Sequence, residues 1–199
     1  MEKEIERWYK KLWQTKGIRF IAAKRYDRID RYSNITVHII TAYLLCINLL
    51  VLLPNRPTIL SNENISFFSI CSSIILLVIS LHVSSRKYSE ISHKFHSCAR
   101  EINILYDKVC SWKNNVESPN KGDIEKLIEE YNLILKNYDI NHSKLDFSIF
   151  KLENYNEFFK SYPYISASKI YIYNFIAYYL VYLASVITPI IIFILLMNE

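Results

Sequence analysis

The sequence predicts an all-α membrane protein, and three observations support this fold class. Only two glycines, Gly17 and Gly122, occur among 199 residues, which disfavours tight hairpins and glycine-rich phosphate loops. Apolar residues are concentrated in three blocks without a charged side chain. Between the second and third blocks, apolar residues recur at alternating steps of four and three, which is typical of packed helices.

The predicted elements follow one another in four parts. They are a basic amphipathic cytoplasmic helix (1–32), a two-span transmembrane helical hairpin (33–83), a cytoplasmic antiparallel coiled-coil hairpin (84–160) and a third apolar helix, a C-terminal span (170–197).

The N-terminal part is rich in cations. Residues 1–31 contain ten Lys or Arg and five Asp or Glu. Ile5, Trp8 and Leu12 recur at helical spacing, so one face is apolar, which suits a helix lying on anionic lipid. Nucleic-acid binding is the alternative, but the interleaved acidic residues and the span that follows disfavour it.

The first two apolar blocks, 33–53 and 65–83, have about the length that a bilayer core requires. A core helix of a soluble protein normally carries charge on one side, and these blocks do not. In the third block, a tyrosine-rich start fits the headgroup region, and Pro189 predicts a kink. The tyrosine-rich half also fits a helix lying along the membrane interface.

The distribution of cations predicts the orientation. The loop between the first two blocks has one basic residue, Arg56, against ten before the first block. Because cations are retained on the cytoplasmic side, we expect a cytoplasmic N-terminus and an external loop.

The segment after the second block predicts two packed helices. The first stripe consists of Ile91, Phe95, Cys98, Ile102, Leu105, Val109 and Trp112. A turn rich in helix breakers is predicted over 117–122. The second stripe consists of Ile124, Ile128, Tyr131, Leu135 and Tyr138. Matching stripes joined by a short turn favour an antiparallel pair.

The sequence offers little chemistry, and we expect no catalytic residue, cofactor or metal ion. His93, His96 and Cys98 are close in sequence, but Cys98 lies on the stripe and the histidines do not. The four cysteines form no C-x-x-C pair and read as free thiols.

Polar residues share one face of each of the first two spans. The candidates for lining a pore are Asn34, His38, Thr41, Asn48, Ser73 and Ser80. Helix–helix packing explains such stripes, and the sequence alone favours it. A water-filled path is the competing interpretation, and it requires a homo-oligomer because one protomer cannot enclose a lumen.

Two segments resemble a known family. The leader from Trp13 to Arg31 is similar to that of the SLATT proteins, bacterial SMODS and SLOG-associating two-transmembrane effector domains. The segment from Asn141 to Phe147 resembles the N-H-x-x-x-D-[FY] motif of a subgroup that is linked to reverse transcriptases. The residues that carry the resemblance are Arg19, Arg25, Arg28, Asp30, Asn141, His142 and Asp146.

The resemblance implies a membrane effector of a bacterial antiphage system that acts by abortive infection. An oligomeric gated pore would permeabilise the inner membrane after a nucleotidyltransferase or reverse transcriptase encoded nearby responds to phage. A non-conducting membrane anchor or scaffold, recruiting a cytosolic partner through the helical hairpin, is the alternative. For Asn141, His142 and Asp146, helix capping is favoured over ligand binding.

Overall fold

The structure, a computed structural model, describes residues 1–49, 52, 61–114, 118–159, 164–179, 183 and 187. The regular elements of this part of the chain are all helices, which confirms the all-α prediction. They are α1 (Glu2–Leu49), α2 (Asn62–Ser85), α3 (Tyr88–Lys113), α4 (Lys121–Tyr138), α5 (Lys144–Glu153), α6 (Tyr155–Phe158) and α7 (Tyr164–Tyr178).

The chain divides into two compact units. Unit 1 consists of Met1–Asp27 and Tyr88–Tyr171, and unit 2 of Arg28–Lys87 and Ile172–Glu199. Helix α1 contributes to both, because it runs without a break through the boundary that the sequence analysis placed after residue 32. No proline occurs before Pro54, and Gly17 is the last glycine before it. The backbone therefore has no residue that would end the helix there.

The core of unit 1 is formed by three helices. Trp8 and Leu12 of α1 share one buried cluster with the seam of α3 and with Leu127 and Tyr131 of α4. The apolar face of the leader is thus covered by protein, and the expectation that it lies on lipid is wrong for these residues. An amphipathic period identifies an apolar face but does not specify what covers it.

The predicted stripe of α3 matches the buried residues more closely than the predicted stripe of α4 does. Six of the seven α3 positions are buried, and Ile91 is half-buried. On α4 the buried residues are Ile124, Leu127, Tyr131 and Ile134, whereas Ile128, Leu135 and Tyr138 are only partly buried. The buried face of α4 is rotated relative to the predicted stripe because α4 packs in a core that also contains α1.

The ends of α3 and α4 follow local chemistry. Lys87 has a left-handed backbone (φ 49°), and α3 begins after it, at Tyr88. Asn120 caps α4, accepting from the Asp123 N–H, and Asp123 returns the bond in a capping box. Lys121 and Gly122, predicted in the turn, are therefore already helical; residues 115–117 lie outside the described part.

A second cluster in unit 1 joins α1 to α5. Ile18 and Ile21 pack with Ile149 and Phe150, and Trp13 meets the Phe150 ring edge-on at 5.0 Å between centroids. Gly17 faces the same ring. A Cβ there would overlap Phe150 Cε2 and lie 2.9 Å from Cδ2, so the close approach requires glycine.

Unit 2 contains segments that suggest a membrane protein. Helix α1 and the stretch Ile65–Lys113, which includes most of α2 and all of α3, each contain a segment long and apolar enough to span a bilayer, and only 17% and 6% of these segments are buried. The core helix of a soluble protein would be mostly buried. Phe67, Ile74 and Leu81 of α2 are exposed, which suits a helix covered by lipid or by further protein.

The predicted third span falls largely outside the described residues. Helix α7 ends at Tyr178, and beyond it the Leu183 N–H donates to the Tyr179 carbonyl at 3.0 Å. Residues 180–182, 184–186 and 188–199 are not described. Whether 170–197 crosses the membrane therefore stays a prediction.

We expect Gly17→Ala to destabilise unit 1. In an open helix this change is stabilising by about 1 kcal/mol, but overpacking against the buried Phe150 ring costs about 1–3 kcal/mol. All three tryptophans, Trp8, Trp13 and Trp112, lie in unit 1, so thermal unfolding followed by tryptophan fluorescence reports on it.

The matched control is the same substitution in a Phe150→Leu background. The shorter side chain leaves room for the new methyl group, so the added cost of Gly17→Ala should shrink. An equal cost in both backgrounds would refute the steric explanation.

Candidate functional site

A buried ion pair connects α1 to α5 in unit 1. Arg25 Nε donates to Asp146 Oδ1 at 2.7 Å, and Arg25 Nη2 donates to Asp146 Oδ2 at 3.1 Å. The side chains are 3% and 0% exposed. This bidentate geometry is the strongest arrangement between a guanidinium and a carboxylate, and burial removes it from screening by salt.

The same carboxylate closes the first turn of α5. Asp146 Oδ2 accepts from the Ser143 backbone N–H at 2.9 Å and from Ser143 Oγ at 2.7 Å. In return, the Asp146 N–H donates to Ser143 Oγ at 3.2 Å, which completes a capping box. Asp146 therefore accepts four hydrogen bonds, and its position is fixed from α1 and from its own helix.

Arg19 and His142 lie beside this pair. Arg19 is 5% exposed and donates from Nη1 to the Ile140 carbonyl at 3.2 Å. Its Nε and the His142 Nδ1 are buried without a hydrogen-bond partner among the described residues. Burial lowers the pKa of His142, the positive charge of Arg19 lowers it further, and the Asp146 carboxylate acts in the opposite direction.

The structure brings together four of the seven residues that carried the family resemblance: Arg19, Arg25, His142 and Asp146. Asn141 is exposed, and the N-cap of α5 is Ser143, which the sequence analysis did not single out. A serine three residues before an aspartate is the sequence pattern of a capping box, and it could have identified Ser143 as the N-cap. Arg28 and Asp30 belong to unit 2, where Asp30 Oδ2 accepts from Asn34 at 3.2 Å.

The polar stripe of α1 in unit 2 is exposed. Asn34, His38, Thr41 and Asn48 all face away from the protein, whereas Ser33, Thr36 and Leu44 form the buried face. Thr41 Oγ1 donates to the Val37 carbonyl and Asn48 Nδ2 to the Leu44 carbonyl, each at 2.8 Å. Among the described residues of unit 2, no helix packs against this stripe.

The candidates on α2 are less uniform. Ser73 is exposed, and its hydroxyl donates to the Ser69 carbonyl at 2.7 Å. Ser80 is half-buried. A hydroxyl bonded to its own helix is tolerated in lipid, and neither candidate on α2 is ionisable as His38 is on α1, so α2 gives weaker support for a polar surface than α1.

The cysteine and histidine side chains of α3 do not form a site. Cys98 is buried, and burial raises its pKa to about 11, so the thiol stays protonated at neutral pH. His93 and His96 are exposed. Among the described residues, no group of three or more His, Cys, Asp or Glu is placed to hold a metal ion.

The comparisons with known proteins identify one family. The sequence model of SMODS and SLOG-associating 2TM effector domain family 5 matches residues 1–195. No curated protein and no solved structure matches the chain with significant similarity.

Asp146→Asn is expected to lower the free energy of unfolding of unit 1 by about 3–5 kcal/mol, because it removes the carboxylate charge that pairs with the buried Arg25 guanidinium. Denaturant unfolding followed by tryptophan fluorescence measures this free energy. Lys94→Gln, in the exposed pair of Lys94 with Glu90, is the control and should change stability by less than about 0.5 kcal/mol. Equal effects of the two substitutions would contradict a structural role for the buried pair.

The lowered pKa of His142 makes unit 1 less stable in acid. Below about pH 6.5 the unfolded chain takes up the proton that the folded state resists, so stability is full above that pH and declines as the pH falls through the folded pKa. His142→Gln should reduce the slope of the melting temperature of unit 1 against pH between about pH 7 and 5. His93→Gln, at an exposed position, should leave the slope unchanged; an unchanged slope in His142→Gln would disprove the assignment.

Proposed function

The chain belongs to the SMODS and SLOG-associating 2TM effector domain family 5, and we propose that it is the membrane effector of a bacterial antiphage system, which assembles into a gated pore. The family suggests a membrane effector in a defence-associated context. Pore formation and abortive infection are the proposal, and the polar stripe of α1 is the observation that carries it.

The stripe is costly on the surface of an isolated protomer. Residues 33–49 of α1 lie in the predicted span, and Asn34, His38, Thr41 and Asn48 are exposed there. Thr41 and Asn48 bond to their own helix, but the His38 side chain forms no hydrogen bond to any described residue. Polar groups at membrane depth normally face a bundle interior or a water-filled cavity. Further copies of the chain supply such an interior.

A ring of copies converts the stripe into a lumen. A protomer with two or three spans cannot surround a path, but symmetric repetition places the same face of α1 at the centre of the assembly. His and Asn side chains then meet water rather than hydrocarbon. This arrangement explains the amphipathic period within an otherwise apolar span.

A route for gating follows from the course of α1. Its residues before position 28 are held in unit 1 by the Arg25–Asp146 pair, and the polar stripe lies on its continuation in unit 2. A partner that alters the packing of unit 1 would therefore act on the helix that carries the stripe. We propose that a nucleotidyltransferase or reverse transcriptase encoded nearby supplies this signal.

The proposed location is the bacterial inner membrane with a cytoplasmic N-terminus. Ten cations precede the first span and one, Arg56, occupies the following loop. This orientation exposes unit 1 to cytosolic partners. Opening of the pore would collapse the membrane potential and stop growth before phage is released.

A non-conducting scaffold is the second candidate, and one observation favours it. Ile104 of α3 and Leu133 of α4 are 68% and 57% exposed on unit 1, where lipid is not expected. Isolated exposed apolar residues are common, but these two give each helix of the hairpin an apolar contact point for a partner. Ile102 and Leu105 of the predicted hairpin seam are buried and do not offer such a surface.

Cysteine accessibility tests the pore. With Cys71, Cys98 and Cys110 replaced by Ser or Ala, the natural Cys46 provides an exposed control on α1, about 150° around the helix from Thr41 and Asn48. Thr41→Cys or Asn48→Cys, with Cys46 also replaced, places a thiol on the stripe. In spheroplasts of phage-challenged cells that also carry the neighbouring genes, a charged thiol reagent should block most of the ion leak in these two variants. It should have no effect on the variant that keeps only Cys46, because lipid excludes the charge.

The same experiment separates the two functions. If phage challenge caused no depolarisation in any variant, the pore proposal would be refuted. If Ile104→Asp or Leu133→Asp then released the neighbouring gene product from the membrane fraction, the scaffold would replace it.

A further inference from the structure

We propose that a groove between α1 and α7, within unit 2, binds one anionic phospholipid. The groove has a volume of about 420 Å³, within the range of sites that hold ligands. Arg28 lines one part of it, and Ile35, Phe175 and Leu183 contribute apolar walls. A charged end and an apolar body match a phosphate headgroup and an acyl chain.

Arg28 stands where a headgroup is expected. It is exposed, it precedes the uncharged stretch 33–53 by one turn, and the cations Lys24 and Arg31 lie within a turn of it. Basic residues at this depth attract anionic lipids, and a guanidinium binds phosphate through charge-assisted hydrogen bonds. Tyr32 and Tyr179, whose rings meet edge-on at 5.1 Å between centroids, also line the groove. Tyrosine is favoured at the interface.

The apolar walls extend from Arg28 into the predicted span. Ile35 lies seven residues beyond Arg28, about 10 Å along the helix. Ile35, Phe175 and Leu183 are each close to half exposed, at 45%, 46% and 46%. Side chains that are half-covered by protein and open on the other side suit a lipid chain, because it reaches them from the bilayer. A water-soluble ligand would have to cross hydrocarbon.

A second copy of the chain is a poorer occupant. At about 100° per residue, Arg28, Tyr32 and Ile35 lie about 120° around α1 from Asn34, His38 and Thr41, the face that we assign to contacts between copies. The groove therefore remains open to lipid in the proposed assembly. The proposal does not require that the assembly conducts.

Native mass spectrometry of the full chain in non-ionic detergent tests the site. With dioleoyl phosphatidylglycerol and dioleoyl phosphatidylcholine as probes, one phosphatidylglycerol per chain should be retained in preference to phosphatidylcholine. Arg28→Gln should weaken phosphatidylglycerol binding roughly tenfold and leave phosphatidylcholine unaffected, since one charge-assisted hydrogen bond is lost. Arg31→Gln removes the same charge outside the groove and should change the binding of neither lipid.

Ile35→Trp is the second variant, and it should reduce the binding of both lipids because the larger ring fills the groove. Circular dichroism checks that each variant keeps its helix content. Equal losses in Arg28→Gln and Arg31→Gln would reduce the site to nonspecific attraction and overturn the proposal. The proposal would also be overturned if phosphatidylglycerol were not preferred over phosphatidylcholine. If Ile35→Trp changed the oligomer mass and kept its lipid, the groove would be assigned to a second copy of the chain instead.

Discussion

Two charges removed from water hold α1 against α5. Burying either Arg25 or Asp146 alone costs several kcal/mol, so each requires the other, and Ser143 satisfies oxygen lone pairs that Arg25 does not reach. Apolar contacts between Ile18, Ile21 and Phe150 tolerate small shifts, but a bidentate pair does not. The ion pair therefore sets the position of α1 on α5, and the close approach at Gly17 depends on this position.

One continuous helix meets two solvents. In unit 1 the apolar face of α1 is covered by α3, α4 and α5, and polar side chains face water. In unit 2 the same helix buries Ser33, Thr36 and Leu44 and exposes Leu45 and Leu49, which lipid or further copies of the chain can cover favourably. Without a glycine or proline between Gly17 and Leu49, the backbone passes from one environment to the other as regular helix.

Properties with a local period were predictable from the sequence, and properties that depend on distant partners were not. The α3 stripe, Phe95 to Trp112, is buried as predicted, because the spacing of its apolar residues along one helix is enough to identify the face. The apolar face of α1 was predicted correctly, but lipid was expected to cover it, and the buried face of α4 was misassigned. Both errors arise because three helices share one core. The residues of the site were named from the resemblance, but the pairing of Arg25 with Asp146, 121 residues apart, has no local signal.

The exposed stripe of α1 limits what the chain can do alone. Within the described part of a protomer, packing uses Ser33 and Thr36, and none of the described helices of unit 2 covers Asn34, His38 or Thr41. In the proposed assembly, packing and pore lining cease to be alternatives, because further copies of the chain supply the surface for both. An assembly that packs these faces tightly is closed, and one that separates them admits water, so a single interface can provide both states.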